Sequence, residues 1–236
     1  MTIGELFRNG TGHFKTITRH KAEVMKNCFR IGLYWQGLLH DLSKYTPEEF
    51  LTGVFYYQGN RSPNAAEKEV RGYSVAWLHH KGRNRHHYEY WIDYGPDRDG
   101  IKCTELMGNR MPLRYLLEMM CDRIAASKVY KGSEYTDAAP LQYFEASREI
   151  RSKAMHPVTK HQLRVLLRML SERGEEETFA FARALLRREK KQKAEMRLAQ
   201  ARSFWRMPAK RAGRKPDRSV FRKRSSFASQ NSGVDL

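Results

Sequence analysis

Apolar residues in the first part of the chain recur at helical spacing rather than in alternation. From Thr16 to Leu42, Ile17, Val24, Cys28, Ile31 and Leu38 fall three, four and seven residues apart, which predicts one or two helices with a break near Gly32 or Gly37. Thr46-Pro47-Glu48-Glu49 combines an N-cap threonine, a proline at the first helical position and a glutamate three residues after the cap, and predicts a helix from Pro47 to about Tyr57. Gln58 to Asn64 reads as a loop, and Ala65 to His80 as a further helix through Val70, Tyr73 and Trp77. Lys81 to Arg85 breaks that helix, and a second loop, rich in Gly, Pro and Asp, spans Asp93 to Gly100.

Pro112 to Tyr130 carries a continuous apolar face of Leu113, Leu116, Leu117, Met120, Ile124 and Val129. Thr159 is placed to cap a helix through Leu170 that stops at Gly174, and Glu175 to about Trp205 reads as one long basic helix whose first three glutamates suit the positive end of its dipole. From Pro208 onward Lys, Arg, Ser and Gly dominate, so the last thirty residues are expected to be disordered. No segment alternates long enough to demand a strand, and no internal repeat is present. The expected architecture is all-α, with a helical domain over 1–172, a basic helix over 173–206 and a disordered basic tail over 207–236.

Composition changes this picture in two places. Hydrophobic residues make up 40% of the 236 positions and charged residues 30%, which suits a globular domain with a buried core and not a membrane protein. No apolar run approaches the length of a membrane span, and the first residues lack the basic-then-apolar order of a secretory signal, so a cytoplasmic location is expected. Cys28, Cys103 and Cys121 have no CxxC spacing and read as inert thiols in a reducing compartment. The net charge of +18 is unevenly spread: residues 151–236 hold 23 Lys and Arg against 8 Asp and Glu, whereas the first 150 hold 21 against 18. Attraction to a polyanion therefore belongs to the C-terminal third.

Histidine runs the other way, with His13, His20, His40, His79, His80, His86 and His87 all in the first 87 residues. His20, the adjacent pair His40-Asp41, then His80, His86 and His87, and finally Asp122 form a set of ligand-type residues on separate predicted elements. Imidazole and carboxylate together suit divalent manganese, iron, cobalt, nickel or zinc. A neighbouring His and Asp cannot point the same way on a helix, yet they can hold one ion at a helix edge or bridge two.

Several stretches carry a family resemblance: His20-Lys21; His40-Asp41-Leu42-Ser43-Lys44-Tyr45 with Pro47-Glu48-Glu49-Phe50; Trp77-Leu78-His79-His80 with Asn84 and His86-His87; and Glu118-Met119-Met120-Cys121-Asp122. Over roughly residues 14–170 the chain resembles the HD-domain superfamily of metal-dependent phosphohydrolases, and more narrowly an uncharacterised family of bacterial and phage HD-like proteins. The resemblance implies an HD-type helical bundle in which His20, His40, Asp41 and Asp122 bind a first metal. It further implies a second ion held by His80, His86 and His87, with Asp41 bridging. The reaction implied is hydrolysis of a nucleotide or other phosphate ester, with Asp41, Lys44 and His80 acting at the reacting centre and a metal lowering the pKa of an attacking water. Lys44, three residues past Asp41, is placed to meet a substrate phosphate, with Arg83, Arg85 and Arg123 as weaker candidates.

Each residue also has a plainer reading. A single histidine on a helix is more often surface or hydrogen-bonded than a ligand, and His79, His13, His156 and His161 are left as structural or exposed. Asp122 could pair with an arginine, His86 and His87 could form an exposed turn, and Trp77, Tyr88, Tyr90 and Trp91 read as core aromatics before base-stacking ones. Three functions stay open: the phosphohydrolase, a di-iron oxygenase of HD-type fold, and a non-catalytic protein whose basic C-terminal region contacts nucleic acid or another partner.

Overall fold

The computed structural model describes residues 1–97, 99, 101–147 and 154–205. The disordered tail expected over 207–236 lies outside them. Among the described residues the chain is all-α apart from one small hairpin. Its elements run α1 (Ile3–Ile31), α2 (Tyr34–Leu39), a 3-10 turn (Leu42–Tyr45), α3 (Pro47–Phe55), α4 (Pro63–Arg71) and α5 (Val75–Arg83). They continue with a second 3-10 turn (Tyr88–Trp91), β1 (Ile92–Tyr94), β2 (Leu106–Gly108), α6 (Leu113–Lys131), a third 3-10 turn (Gly132–Glu134), α7 (Ala139–Ala146) and α8 (Pro157–Trp205). Two compact units result, Met1–Arg187 and Arg188–Leu236.

In the first unit, α1 starts well before the periodic stretch seen in the sequence because Thr2 and Glu5 form a capping box, with Glu5 Oε2 accepting from the Thr2 amide at 2.7 Å. It ends at Gly32, whose φ of 83° takes the left-handed conformation that a C-terminal cap needs. The centre of the bundle is α6, where Leu116, Leu117, Met119, Met120, Cys121 and Ile124 are all buried, so nearly its whole circumference is core. Val24, Cys28 and Ile31 of α1, Phe144 of α7 and Leu163, Leu167 and Leu170 of α8 close around it.

α8 is two helices in one run, broken where Gly174 has φ 78° and ψ 179°. The part after the break, read from the sequence as a basic helix outside the helical domain, begins inside the core. Phe179, Ala182 and Leu186 enter the core, and two of the three glutamates are used for docking: Arg30 at the end of α1 reaches Glu175 Oε2 at 2.7 Å and also pairs with Glu176, while Lys128 pairs with Glu175. The Arg30 guanidinium lies 4.0 Å from the Phe179 ring centroid, a cation–π contact on the same seam.

Three sequence expectations are corrected. The single helix read over Ala65 to His80 is α4 and α5, separated at Gly72 (φ 80°), with Ser74 capping the second by accepting from the Trp77 amide. Val70 and Tyr73, assigned to its apolar face, are exposed because they flank that break. Thr159 lies inside α8 and does not cap it; its hydroxyl accepts from the Met111 amide at 3.1 Å. The antiparallel hairpin, pairing Ile92 with Gly108 and Tyr94 with Leu106, brackets the expected loop at 93–100 and is too short to leave a pattern in the sequence. The helix α7 also went unread.

His13 on α1 is buried against α3, so close to Gly53 that a Cβ there would meet its ring 2.1 Å away, and burial holds its pKa down to about 4. A histidine that resists protonation when folded stabilises the fold fully above its unfolded value of about 6.5 and loses that contribution as pH falls towards 4. Urea unfolding of wild type and His13→Gln is therefore expected to converge as pH is lowered from 8 to 5, and a gap independent of pH would refute the assignment. Phe179→Ala is expected to cost about 3–5 kcal/mol through the cavity it leaves, against a change within about 0.5 kcal/mol for exposed Arg187→Ala. Equal small losses would mean that the segment after Gly174 is not part of the core.

Candidate metal centre

The His-Asp pair is not on a helix. α2 stops at Leu39; His40 is its cap residue, and Asp41 follows with φ 53° and ψ 28°, a left-handed conformation that few residues other than glycine adopt and that Asp tolerates better than most. The reversal turns two neighbouring side chains to one point, which a helix would forbid. Lys21, next to His20 on α1, fixes the turn by donating to the carbonyls of Leu38 at 2.6 Å and His40 at 2.9 Å.

Around Asp41 two clusters form, one at each carboxylate oxygen. His40 Nε2 lies 3.3 Å and His20 Nε2 3.8 Å from Oδ2, and Asp122 Oδ1 of α6 sits 2.9 Å from His20 Nε2 and 3.6 Å from His40 Nε2. His80 Nε2 of α5 and His86 Nε2 lie 3.3 Å and 3.4 Å from Oδ1, and His87 completes that group. The structure thus brings together all seven residues singled out as ligands: His20, His40, Asp41 and Asp122 on one side, His80, His86 and His87 on the other.

These contacts have ion-pair distances without hydrogen-bond geometry. Asp41 Oδ1 and Oδ2 and the Nε2 atoms of His20, His40, His86 and His87 are buried and make no hydrogen bond. Leaving so many polar atoms unsatisfied is costly unless something else meets them. Ligands about 2.1 Å from one ion, at angles of about 90–110°, stand about 3.0–3.4 Å apart. Four of the six separations fall at 2.9–3.4 Å, the other two are 3.6 and 3.8 Å, and the donor set suits divalent ions, so these buried groups could hold metal.

The far side of the histidine rings is built to support this. Glu118 of α6 is buried and accepts through Oε1 from His40 Nδ1 at 3.1 Å, with His86 Nδ1 at 3.3 Å from the same oxygen, while Gln36 donates to Oε2 at 2.7 Å. Glu49 of α3 accepts from His79 Nδ1 at 2.7 Å and His80 Nδ1 at 2.8 Å. A carboxylate on Nδ1 fixes the tautomer that leaves Nε2 free as a ligand. Glu49 therefore closes no capping box with Thr46, because its carboxylate is taken by the two histidines; Thr46 donates instead to the Ser43 carbonyl. His79 is held on Glu49, outside both clusters. Asn84 binds Ser43 Oγ and the His80 carbonyl, each at 2.8 Å, and ties the end of α5 to the turn after Asp41.

Electrostatics follow from this packing. Burial would raise the Asp41 carboxyl, but His40, Lys44 and His80 outweigh it and hold Asp41 well below the usual carboxylate range. Burial likewise opposes ionisation of Glu118, which the bonds from His40 and His86 nevertheless hold down to about 2. His87 is pushed well below the usual value by burial and then by His86 and His80, so it is neutral, as a ligand must be. Lys44 Nζ sits 2.5 Å from Asp41 Oδ2.

A cavity of about 520 Å³ opens onto His20, Asp41, Lys44, His80, His87 and Asp122, and its walls include Tyr57, Trp77, Tyr130 and Tyr143. Trp77 meets the His87 ring edge-on at 4.8 Å, so it borders the cluster and is not a core residue. Of the arginines considered for phosphate contact, Arg123 lines the cavity; Arg83 and Arg85 do not, and Arg85 is spent on Tyr115.

Sequence reasoning missed Glu49, Glu118 and Lys21 as working parts of the site. A signal was available for Glu118, four residues before Asp122 and so one turn away on the same face of α6. None was available for Glu49, whose role depends on a partner thirty residues on.

Residues 9–169 match the model of a family described as Family of unknown function (DUF5662), and the chain belongs to that family. No curated protein and no solved structure matches it significantly. Among the described residues no helix is long and apolar enough to cross a membrane.

Metal content decides whether the clusters are loaded. After reconstitution with manganese or iron and gel filtration, wild type is expected to retain two ions per chain and Asp41→Ala none. Glu49→Gln, which frees only the His80 cluster, is expected to weaken one ion by about 10–100-fold and leave the other. Equal metal in wild type and Asp41→Ala would overturn the assignment.

Proposed function

We propose that this protein is a metal-dependent phosphohydrolase of HD type, acting on a nucleotide or other phosphate ester, with one or two divalent ions drawn from manganese, iron, cobalt, nickel and zinc. The observation that carries this reading is one buried carboxylate, Asp41, offering each oxygen to a separate cluster at the floor of an open cavity that also holds a lysine. Ions bound there would supply a water activated for in-line attack and neutralise charge on the phosphoryl oxygens.

The chain's own residues carry the remaining work. Glu118 and Glu49 hold the His40, His86 and His80 rings in fixed orientation, so the donor set needs no rearrangement on substrate arrival. Lys44 stays protonated, because the Asp41 and Asp122 charges outweigh its burial, and its ammonium, held beside Asp41 in the cavity lining, would contact a phosphoryl oxygen bound there. Trp77 and His87 pack edge-to-face and wall one side of the cluster. At about 520 Å³, within the range of small-molecule sites, the cavity has room for a nucleoside as well as its phosphate, and the surrounding tyrosines offer it flat surfaces.

Phosphate release from a panel of mono-, di- and triphosphates, measured with each metal, tests this. Activity is expected in wild type and absent in Asp41→Ala. Lys44→Ala is expected to keep its metal yet lose about tenfold or more in kcat/KM, the scale of one charge-assisted hydrogen bond. Fully loaded protein that releases no phosphate from any member of the panel would refute the reading.

A further inference from the structure

The second compact unit begins at Arg188, and its described part is helix, the end of α8. Between Arg188 and Arg202 this helix carries Arg188, Lys190, Lys191, Lys193, Arg197 and Arg202 against Glu189 and Glu195. Every one of those cations is exposed. Lys193 pairs with Glu189 at 2.8 Å, and among the described residues the other five make no ion pair. Such a density of unneutralised charge opposes helix formation in isolation and calls for a polyanionic partner.

The arrangement narrows the partner. At about 100° per residue the six cations cover an arc of about 220°, and the remaining face carries Gln192, Met196, Glu189 and Gln200. A helix that lies on a membrane needs one apolar face opposite a basic one. Here the two large apolar side chains, Met196 and Leu198, fall about 160° apart, so no face can enter a lipid surface. Cations on more than half the circumference instead suit a slot with phosphates on both walls. The B-DNA major groove is about 12 Å wide and admits an α-helix of about 10–12 Å, whereas the A-form RNA major groove is too narrow and deep for side chains to enter.

We infer that the helix from Arg188 to Arg202 is a binding element for double-stranded DNA, docking in the major groove through phosphate contacts and without base selection. Composition beyond it agrees: residues 203–236 add nine Lys and Arg against two Asp, interleaved with Phe204, Trp205, Phe221 and Phe227. The inference does not depend on the metal clusters or on what they catalyse.

Fluorescence anisotropy of full-length protein with a labelled 24-base-pair DNA duplex tests it, alongside an RNA duplex of the same sequence, single-stranded DNA, and vesicles of 30% anionic phospholipid. Binding is expected to be strongest to duplex DNA and indifferent to its sequence. The charge-reversed variant Lys190→Glu/Lys191→Glu/Lys193→Glu/Arg197→Glu is expected to bind at least tenfold more weakly, and its dependence of log K on log salt to flatten by about 3–4. A neutral Gln variant at the same four positions, with its helicity checked by circular dichroism, should fall between the two. Charge-reversed protein that binds DNA as wild type does overturns the inference, as does equal or tighter binding of RNA, single strands or vesicles by wild type.

Discussion

A buried carboxylate is among the most expensive groups a helical bundle can contain, and Asp41, both of whose oxygens lie in the interior, is held there by the Lys44 ammonium and the histidines around it. The surrounding architecture is arranged around its charge. Four stretches of chain, α1, the turn after α2, α5 with the residues following it, and α6, each deliver imidazole or carboxylate to the same few ångströms, and Lys44 adds an ammonium. Removing a charged partner such as Lys44 leaves the Asp41 carboxylate with less to offset its burial. The site and the bundle are thus stabilised together.

The strength of the scaffold at that point explains how the chain sustains an unusual backbone. The left-handed conformation at Asp41 is bracketed by Lys21 on the preceding carbonyls and by the hydrogen-bonded turn through Ser43 and Thr46 behind it. Local strain of this kind persists only where neighbours over-determine it, and it gathers at functional positions. Behind the turn, α6 is packed on nearly every side, so the carboxylates of Glu118 and Asp122 are presented from a helix that lies in the core.

Much of the candidate metal site was legible because ligand-type chemistry is carried by residue type: His20, His40-Asp41, His80, His86-His87 and Asp122 stand out in the sequence, and the fold brings them together. The all-α class and α6 followed from periodicity. What escaped depends on contacts distant in sequence or on backbone detail. Glu49 looked like a helix-start glutamate until its histidine partners were placed, and Val70 and Tyr73 fit a helical period that Gly72 interrupts. The basic stretch after Gly174 read as a helix apart from the helical domain, yet its first turns are core, with Phe179, Ala182 and Leu186 buried and Arg30 over the Phe179 ring. Expectations about the tail beyond residue 207 fall outside the described residues.

Glu118 Oε1 faces a nitrogen from each cluster, His40 on one side and His86 on the other, with their rings 4.4 Å apart. One oxygen atom thereby sets the tautomer and the tilt of both imidazoles. The two clusters are consequently joined through Glu118 Oε1, in contrast to Glu49, which reaches the His80 side alone. Any displacement of that atom is felt in both, so the pair behaves as a single mechanical joint, and drift at position 118 is constrained by two partners rather than one.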